Sequence, residues 1–168
     1  MKVIDILNNT DKAVFSFELV PPLKGGDINK IYEAIEPLIA LAPPFINITF
    51  HRDEVVYREY PDGTIKKVTV TKRPGSVALA AAIMRRYNVD MVPHIVCGGA
   101  TRHKIENELI DLNFLDIENV MALRGDPIPG ERFFTPEEGG HQYSCELVEQ
   151  ITRMNHGQYL DDTLTDAV

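Results

Sequence analysis

No apolar run in this sequence reaches the roughly 18 residues that a membrane-crossing helix needs, so a membrane partner is not expected. The first residues, Met1 to Asn9, hold Asp5 inside their short apolar run and offer no small-residue cleavage site. They do not read as a signal peptide. Cysteine is scarce: Cys97 and Cys145 lie far apart and match no ligand spacing. His51, His103, His141 and His156 show no such spacing either, and no metal is expected. Reduced thiols in a cytoplasmic protein are the ordinary reading of that usage. Basic residues are outnumbered, 17 against 25 acidic, for a formal charge of −8 with no basic run. A nucleic-acid backbone is therefore not an expected partner, and any bound anion must rely on local donors.

What is present is the material of one soluble domain spanning 1–168, with 44% hydrophobic and 25% charged residues. Short β-prone runs alternate with longer helical ones. Val14 to Val20 reads as a strand stopped by Pro21-Pro22. Asp27 is placed to cap a helix running to about Leu41, with Ile28, Ile31, Ile35, Leu38 and Ile39 at helical spacing. Pro37 should kink or shorten that helix. A second strand, Phe45 to Phe50, follows Pro43-Pro44. Residues 52–73 then break the alternation: two β-prone runs flank Pro61-Asp62-Gly63, which predicts a hairpin inserted on a loop. Beyond it come a helix from about Gly75 to Tyr87, a third strand from Met91 to Val96, and a helix from Arg102 to Asn113. A fourth strand (Val120 to Leu123), a Gly/Pro-rich loop and a helix from about Gln142 to Met154 complete the pattern.

Four β-then-α units predict an α/β fold with parallel strands and right-handed crossovers. The loops after the strands carry the unusual residues, as at the catalytic face of a (β/α)₈ barrel. A doubly wound open sheet competes on periodicity alone. The absence of Gly-x-Gly-x-x-Gly after the first strand weakens its dinucleotide-binding version.

The residues that could carry chemistry each have an ordinary reading as well. Glu18 is either solvent-facing by strand alternation or kept at the strand end for a purpose; a carboxyl in apolar surroundings holds its proton to higher pH, as a general acid must. Asp126, in Arg124-Gly125-Asp126-Pro127, reads first as a turn aspartate, although Arg124 and the Gly125 backbone could meet an anion or a polar ring edge. His94 reads first as a hydrogen-bonded structural histidine, and Thr49 as a favoured strand residue. Tyr143 and Ser144 open the last helix, and Gly98 to Thr101 form a helix-start loop. Taken together, Glu18, Thr49, His94 and Asp126 fall at the ends of four successive strands, and a barrel mouth would gather them.

The same positions carry a family resemblance. Phe15-Ser16-Phe17-Glu18-Leu19-Val20-Pro21-Pro22 resembles the Ser-Phe-Glu-Phe-Phe-Pro-Pro first strand of methylenetetrahydrofolate reductases. Ile46-Asn47-Ile48-Thr49-Phe50 is similar to Val-x-Val-Thr-Tyr, Pro93-His94-Ile95-Val96-Cys97 to Pro-His-Leu-Thr-Cys, and Ala122 to Asp126 to Ala-Leu-Arg-Gly-Asp. Tyr143-Ser144 ahead of Leu147-Val148 resembles Tyr-Ala-x-x-Leu-Val. Five motifs occur in order along nearly the whole chain.

The resemblance implies the first four units of a (β/α)₈ TIM barrel with FAD at the mouth. It implies reduction of 5,10-methylenetetrahydrofolate to 5-methyltetrahydrofolate with NADH or NADPH, in one-carbon and methionine metabolism. Glu18 then corresponds to the general acid and Asp126 to the carboxylate beside the flavin. Thr49, His94, Arg124, Gly125, Asp126, Tyr143 and Ser144 correspond to FAD contacts. The sequence departs from the family at Phe50-His51 for Tyr-Gly, at Val96 for threonine, and in the hairpin. A complete barrel takes about 250 residues, so half a barrel with open edges is expected, forming a homo-oligomer and holding FAD weakly. Two other readings remain open: a barrel enzyme for a phosphorylated substrate, and a non-catalytic half-barrel that assembles with a partner.

Overall fold

The computed structural model describes residues 1–128 and 130–166. Four strands, β1 (Phe17–Leu19), β2 (Phe45–Ile48), β5 (Asp90–Val96) and β6 (Met121–Leu123), form one parallel sheet in that order. Two more, β3 (Glu54–Glu59) and β4 (Ile65–Val70), pair only with each other, antiparallel. With that hairpin set aside, each crossover adds its strand to the same growing edge. Right-handed connections that never reverse put every helix on one side of the sheet. The reversal that defines a doubly wound sheet does not occur in these four strands.

The covering helices are α2 (Ile28–Ile39), α3 (Ser76–Tyr87), α4 (Arg102–Phe114) and α5 (Ser144–Met154). Their starts follow from local chemistry. The Asp27 carboxylate accepts from the Asn29 N–H at 2.9 Å, and the Thr101 hydroxyl accepts from the Lys104 N–H at 3.2 Å. The Glu146 carboxylate accepts from the Gln142 and Tyr143 N–H groups at 2.7 and 3.0 Å, and those two bonds, Tyr143 first, hold its pKa below the usual range. Pro37 sits inside α2, which ends two residues later at Ile39 rather than continuing to Leu41.

Register separates the two faces of the sheet. Ile46, Ile48, Met91 and Ile95 point toward the helices and are fully or almost fully buried against Ile35, Leu79, Ile83, Ile105 and Leu147. Each large aliphatic side chain buried there contributes about 1.5–3 kcal/mol. Glu18, Asn47, Thr49, Val92, His94 and Leu123 alternate onto the other, inner face.

The hairpin is present as expected and stands apart from the sheet. Its three-residue loop, Pro61 to Gly63, closes with Tyr60 N–H donating to the Thr64 carbonyl at 2.9 Å, and Gly63 takes the left-handed conformation that this loop requires (φ +79°). Its base is tied to the first β/α loop: Lys24 N–H donates to the Lys72 carbonyl at 2.8 Å, and Arg73 Nη1 donates to the Pro21 carbonyl.

One expectation needs correction. The first strand is three residues long rather than seven, because it is an edge strand and only Phe17–Leu19 find partners on β2. Ahead of the first strand, α1 (Val3–Asn8) crosses the lower end of the inner face, anchored by the Met1 ammonium on Asp90 (2.6 Å) and Glu118 (3.1 Å) and by Val3 N–H on Asn119 Oδ1 (2.8 Å). Among the described residues no helix is long and apolar enough to cross a membrane.

Candidate active site

At the C-terminal ends of the strands the inner face opens into a cavity of about 640 Å³. Glu18, Thr49, His94, Gly125 and Asp126 all line it, together with residues 50–55 and Ile128. Four strand ends therefore converge as a parallel sheet demands, since every βα loop leaves from the same edge.

Glu18 and His94 come from strands two places apart, roughly 10 Å at about 4.8 Å per strand spacing. Their side chains nevertheless approach across the inner face, with Glu18 Oε2 3.7 Å from His94 Nε2. His94 is buried, and its Nε2 has no hydrogen-bond partner among the described residues. Burial, only partly offset by the Glu18 carboxylate, holds the imidazole below its ordinary pKa. A neutral ring facing a carboxyl can exchange a hydrogen bond with it or with a ligand between them. The apolar surroundings expected for Glu18 are not what the structure shows: Phe17 and Leu19 point to the opposite face, and the Glu18 side chain is 57% exposed beside Asn47 and His94.

Thr49 extends β2 by one residue, its N–H donating to the Leu19 carbonyl at 3.0 Å, with its hydroxyl 3.2 Å from His51 Nε2. Gly125 has a conformation few other residues tolerate (φ +86°), and a Cβ there would lie 2.6 Å from Val96 Cγ1. The loop after β6 therefore lies flat against β5, which carries Asp126 over the cavity rim. Arg124 folds back, its guanidinium stacked over Phe134 with 5.4 Å from Cζ to the ring centre. Tyr143 and Ser144 lie elsewhere, at the start of α5, and do not line the cavity. Cys97, behind the cavity, is buried and its thiol is pushed up in pKa by that burial.

One residue of the site was not singled out in the sequence. Arg52, two positions after Phe50, has a buried Nη2 with no partner among the described residues and packs on Gly98 and Gly99. Its only signal was an arginine close behind a strand end. Among the described residues no three His, Cys, Asp or Glu side chains cluster closely enough to hold a metal ion.

Comparison with known proteins bears on this arrangement. The family model described as methylenetetrahydrofolate reductase matches residues 2–165. An Arabidopsis thaliana protein named methylenetetrahydrofolate reductase (NADH) 1 is 28% identical over 167 residues, 98% of this chain and 25% of that protein. The 5,10-methylenetetrahydrofolate reductase of Pectobacterium carotovorum is 24% identical over 138 residues, covering 81% of this chain and 38% of its own length. A Caenorhabditis elegans protein named probable methylenetetrahydrofolate reductase (NADPH) is 24% identical over 156 residues, 93% of this chain and 21% of that protein. The chain thus spans about a quarter of the length of the plant relative.

Proposed function

The chain belongs to the methylenetetrahydrofolate reductase family, and on that premise we propose that it supplies the first four β/α units of a (β/α)₈ barrel that reduces 5,10-methylenetetrahydrofolate to 5-methyltetrahydrofolate. The reductant is NADH or NADPH and the cofactor FAD. The observation that carries this reading is the convergence of Glu18, Thr49, His94 and Asp126 on one cavity at the strand ends, beside backbone that only Gly125 allows.

The residues suit a flavin. A cavity of about 640 Å³ is within the range of small-molecule sites. The unpartnered buried Nε2 of His94 supplies a polar atom aimed at a ligand, and the close-lying Gly125 backbone leaves room for a planar ring. Thr49, His94, Arg124, Gly125 and Asp126 would hold it, with Tyr143 and Ser144 at the α5 start reached by its more distant parts. FAD, when bound, stores the hydride between nicotinamide and folate.

The protein's own groups do the rest. Glu18 donates the proton that opens the bridged folate to its reactive iminium. His94, kept neutral by burial, orients the carboxyl without pairing with it as a cation. Asp126 places a negative charge on the rim, where it contacts folate and disfavours further negative charge on a ring held beneath it. The outer edges of β1 and β6, unpaired among the described residues, support assembly with further strands or another copy.

Anaerobic mixing tests the reading. NADH or NADPH should bleach the bound flavin, and methylenetetrahydrofolate should restore its colour while 5-methyltetrahydrofolate forms. A protein that binds no flavin and turns over no folate would contradict it.

A further inference from the structure

The helical layer holds a cavity of about 220 Å³ that shares no residue with the mouth. It lies between the start of α4, the loop before α5, the α5 surface and residues 158–160. One wall is His141, which is only 4% exposed. The Gln150 amide donates to the Arg102 carbonyl at 3.0 Å, which leaves its Oε1 to accept from His141 Nε2 at 2.6 Å. The neutral ring therefore carries its proton on Nε2 and a lone pair on Nδ1. Nδ1 is buried and has no partner among the described residues. Glu146 Oε2 stands 4.0 Å from it, but that oxygen is an acceptor too and already takes the Gln142 and Tyr143 N–H groups. Two acceptors so placed call for a donor, and one nitrogen can sit about 2.9 Å from both.

The charges of the cavity are also unmatched. Glu106 is 9% exposed and accepts the Leu160 N–H at 2.8 Å, with no basic group within 4.0 Å among the described residues. Acidic side chains buried that far are seldom without a cationic partner. A metal ion is not the missing cation, since no three His, Cys, Asp or Glu side chains cluster closely enough among the described residues. Arg102 and Arg153 line the same cavity, exposed and with no carboxylate within 4.0 Å. Tyr159 and Leu160 give it an apolar side.

From this arrangement we infer that the cavity binds an α-amino acid with an apolar side chain. Its ammonium donates to His141 Nδ1 and Glu146 and brings Glu106 the positive charge it lacks. Its carboxylate meets the guanidinium forks of Arg102 and Arg153, and its side chain lies on Tyr159 and Leu160. The volume is below the roughly 300–1,000 Å³ of drug-sized pockets, as a ligand of that size requires. The inference draws on neither flavin nor folate and is independent of the proposed function.

Calorimetric titration of the protein with L-valine, L-leucine, L-methionine and L-phenylalanine tests it. Each is compared with the same molecule lacking its carboxylate (for leucine, isoamylamine) and lacking its ammonium (isocaproate). The tightest amino acid should exceed both of its counterparts about tenfold or more, the worth of a charged hydrogen bond. Glu106→Gln keeps an acceptor for the Leu160 N–H and should weaken the amino acid and the amine while leaving the acid unchanged. The double variant Arg102→Gln, Arg153→Gln should weaken the amino acid and the acid while leaving the amine unchanged. Urea midpoints without ligand check that each variant is folded; the double variant changes only exposed side chains. An amine or an acid that binds as tightly as the amino acid would reduce the site to a simple cation or anion pocket and overturn the inference. So would failure of all four amino acids to bind, or amino-acid affinity that ignores both variants.

Discussion

The two faces of the central sheet are built to different rules. Toward the helices, Ile46, Ile48 and Ile95 are shut from water among other aliphatic side chains. On the inner side, Asn47 Oδ1 nearer the lower end and His94 Nε2 and Arg52 Nη2 toward the mouth are buried without hydrogen-bond partners among the described residues. A fold optimised only for stability would satisfy or remove those atoms. Strand alternation lets one set of strands serve both ends: odd positions on β5 (Met91, Pro93, Ile95) hold the molecule together, and even positions (Val92, His94, Val96) face the cavity side. The same separation predicts that substitutions on the two faces fail in different ways.

The outer face gives the largest effect on stability. Ile95→Ala should cost about 2–5 kcal/mol in urea denaturation, from lost burial and the cavity left behind. A loss as small as that of a surface substitution would show that the helix layer is not the main core. Gly125→Ala probes the border between the faces. The left-handed backbone and the contact with the β-branched Val96 should together cost about 1–3 kcal/mol and disturb the rim carrying Asp126. Unchanged stability would mean that the loop after β6 stands off from β5.

On the inner face the readout changes from stability to chemistry. Asp126→Asn should leave the denaturation midpoint within experimental scatter, raise the midpoint potential of bound flavin and slow folate reduction. An unaltered potential would return Asp126 to the role of a turn residue. The smallest effect expected is in pH dependence. The folded chain holds the His94 imidazole below its ordinary value, so the unfolded chain takes up that proton first as pH falls. Stability should therefore drop as pH passes below about 6.5, and the penalty is complete once the folded imidazole is itself protonated. His94→Gln should flatten that part of the stability–pH curve; an identical slope would place the titration elsewhere.

Much of this was legible in the sequence because it is local. Pro61-Asp62-Gly63 announces the hairpin, Asp27 and Thr101 announce helix starts, and the residues after each strand mark the mouth. What was misread depends on distant partners. Val14 to Val20 has strand composition throughout, but only three residues find a ladder on β2. The six residues of α1 are too few to announce a helix by period, and Asp90, Glu118 and Asn119 hold the residues at its start. Alternation places Glu18 on the face away from Phe17 and Leu19, but that His94, two strands away, reaches it depends on the sheet order. Arg52 gains its meaning from Gly98 and Gly99, across the sheet, and nothing adjacent to it in the chain reveals that packing.

The central claim is that the inner face, through Glu18, protonates the folate rather than serving the nicotinamide step. Stopped-flow measurement of the two half-reactions in Glu18→Gln tests it directly. Flavin reduction by NADH or NADPH should proceed at close to the wild-type rate, while reoxidation by methylenetetrahydrofolate slows about 10²- to 10⁴-fold, the usual worth of a general acid. Equal slowing of both half-reactions, or none of the second, would contradict the account.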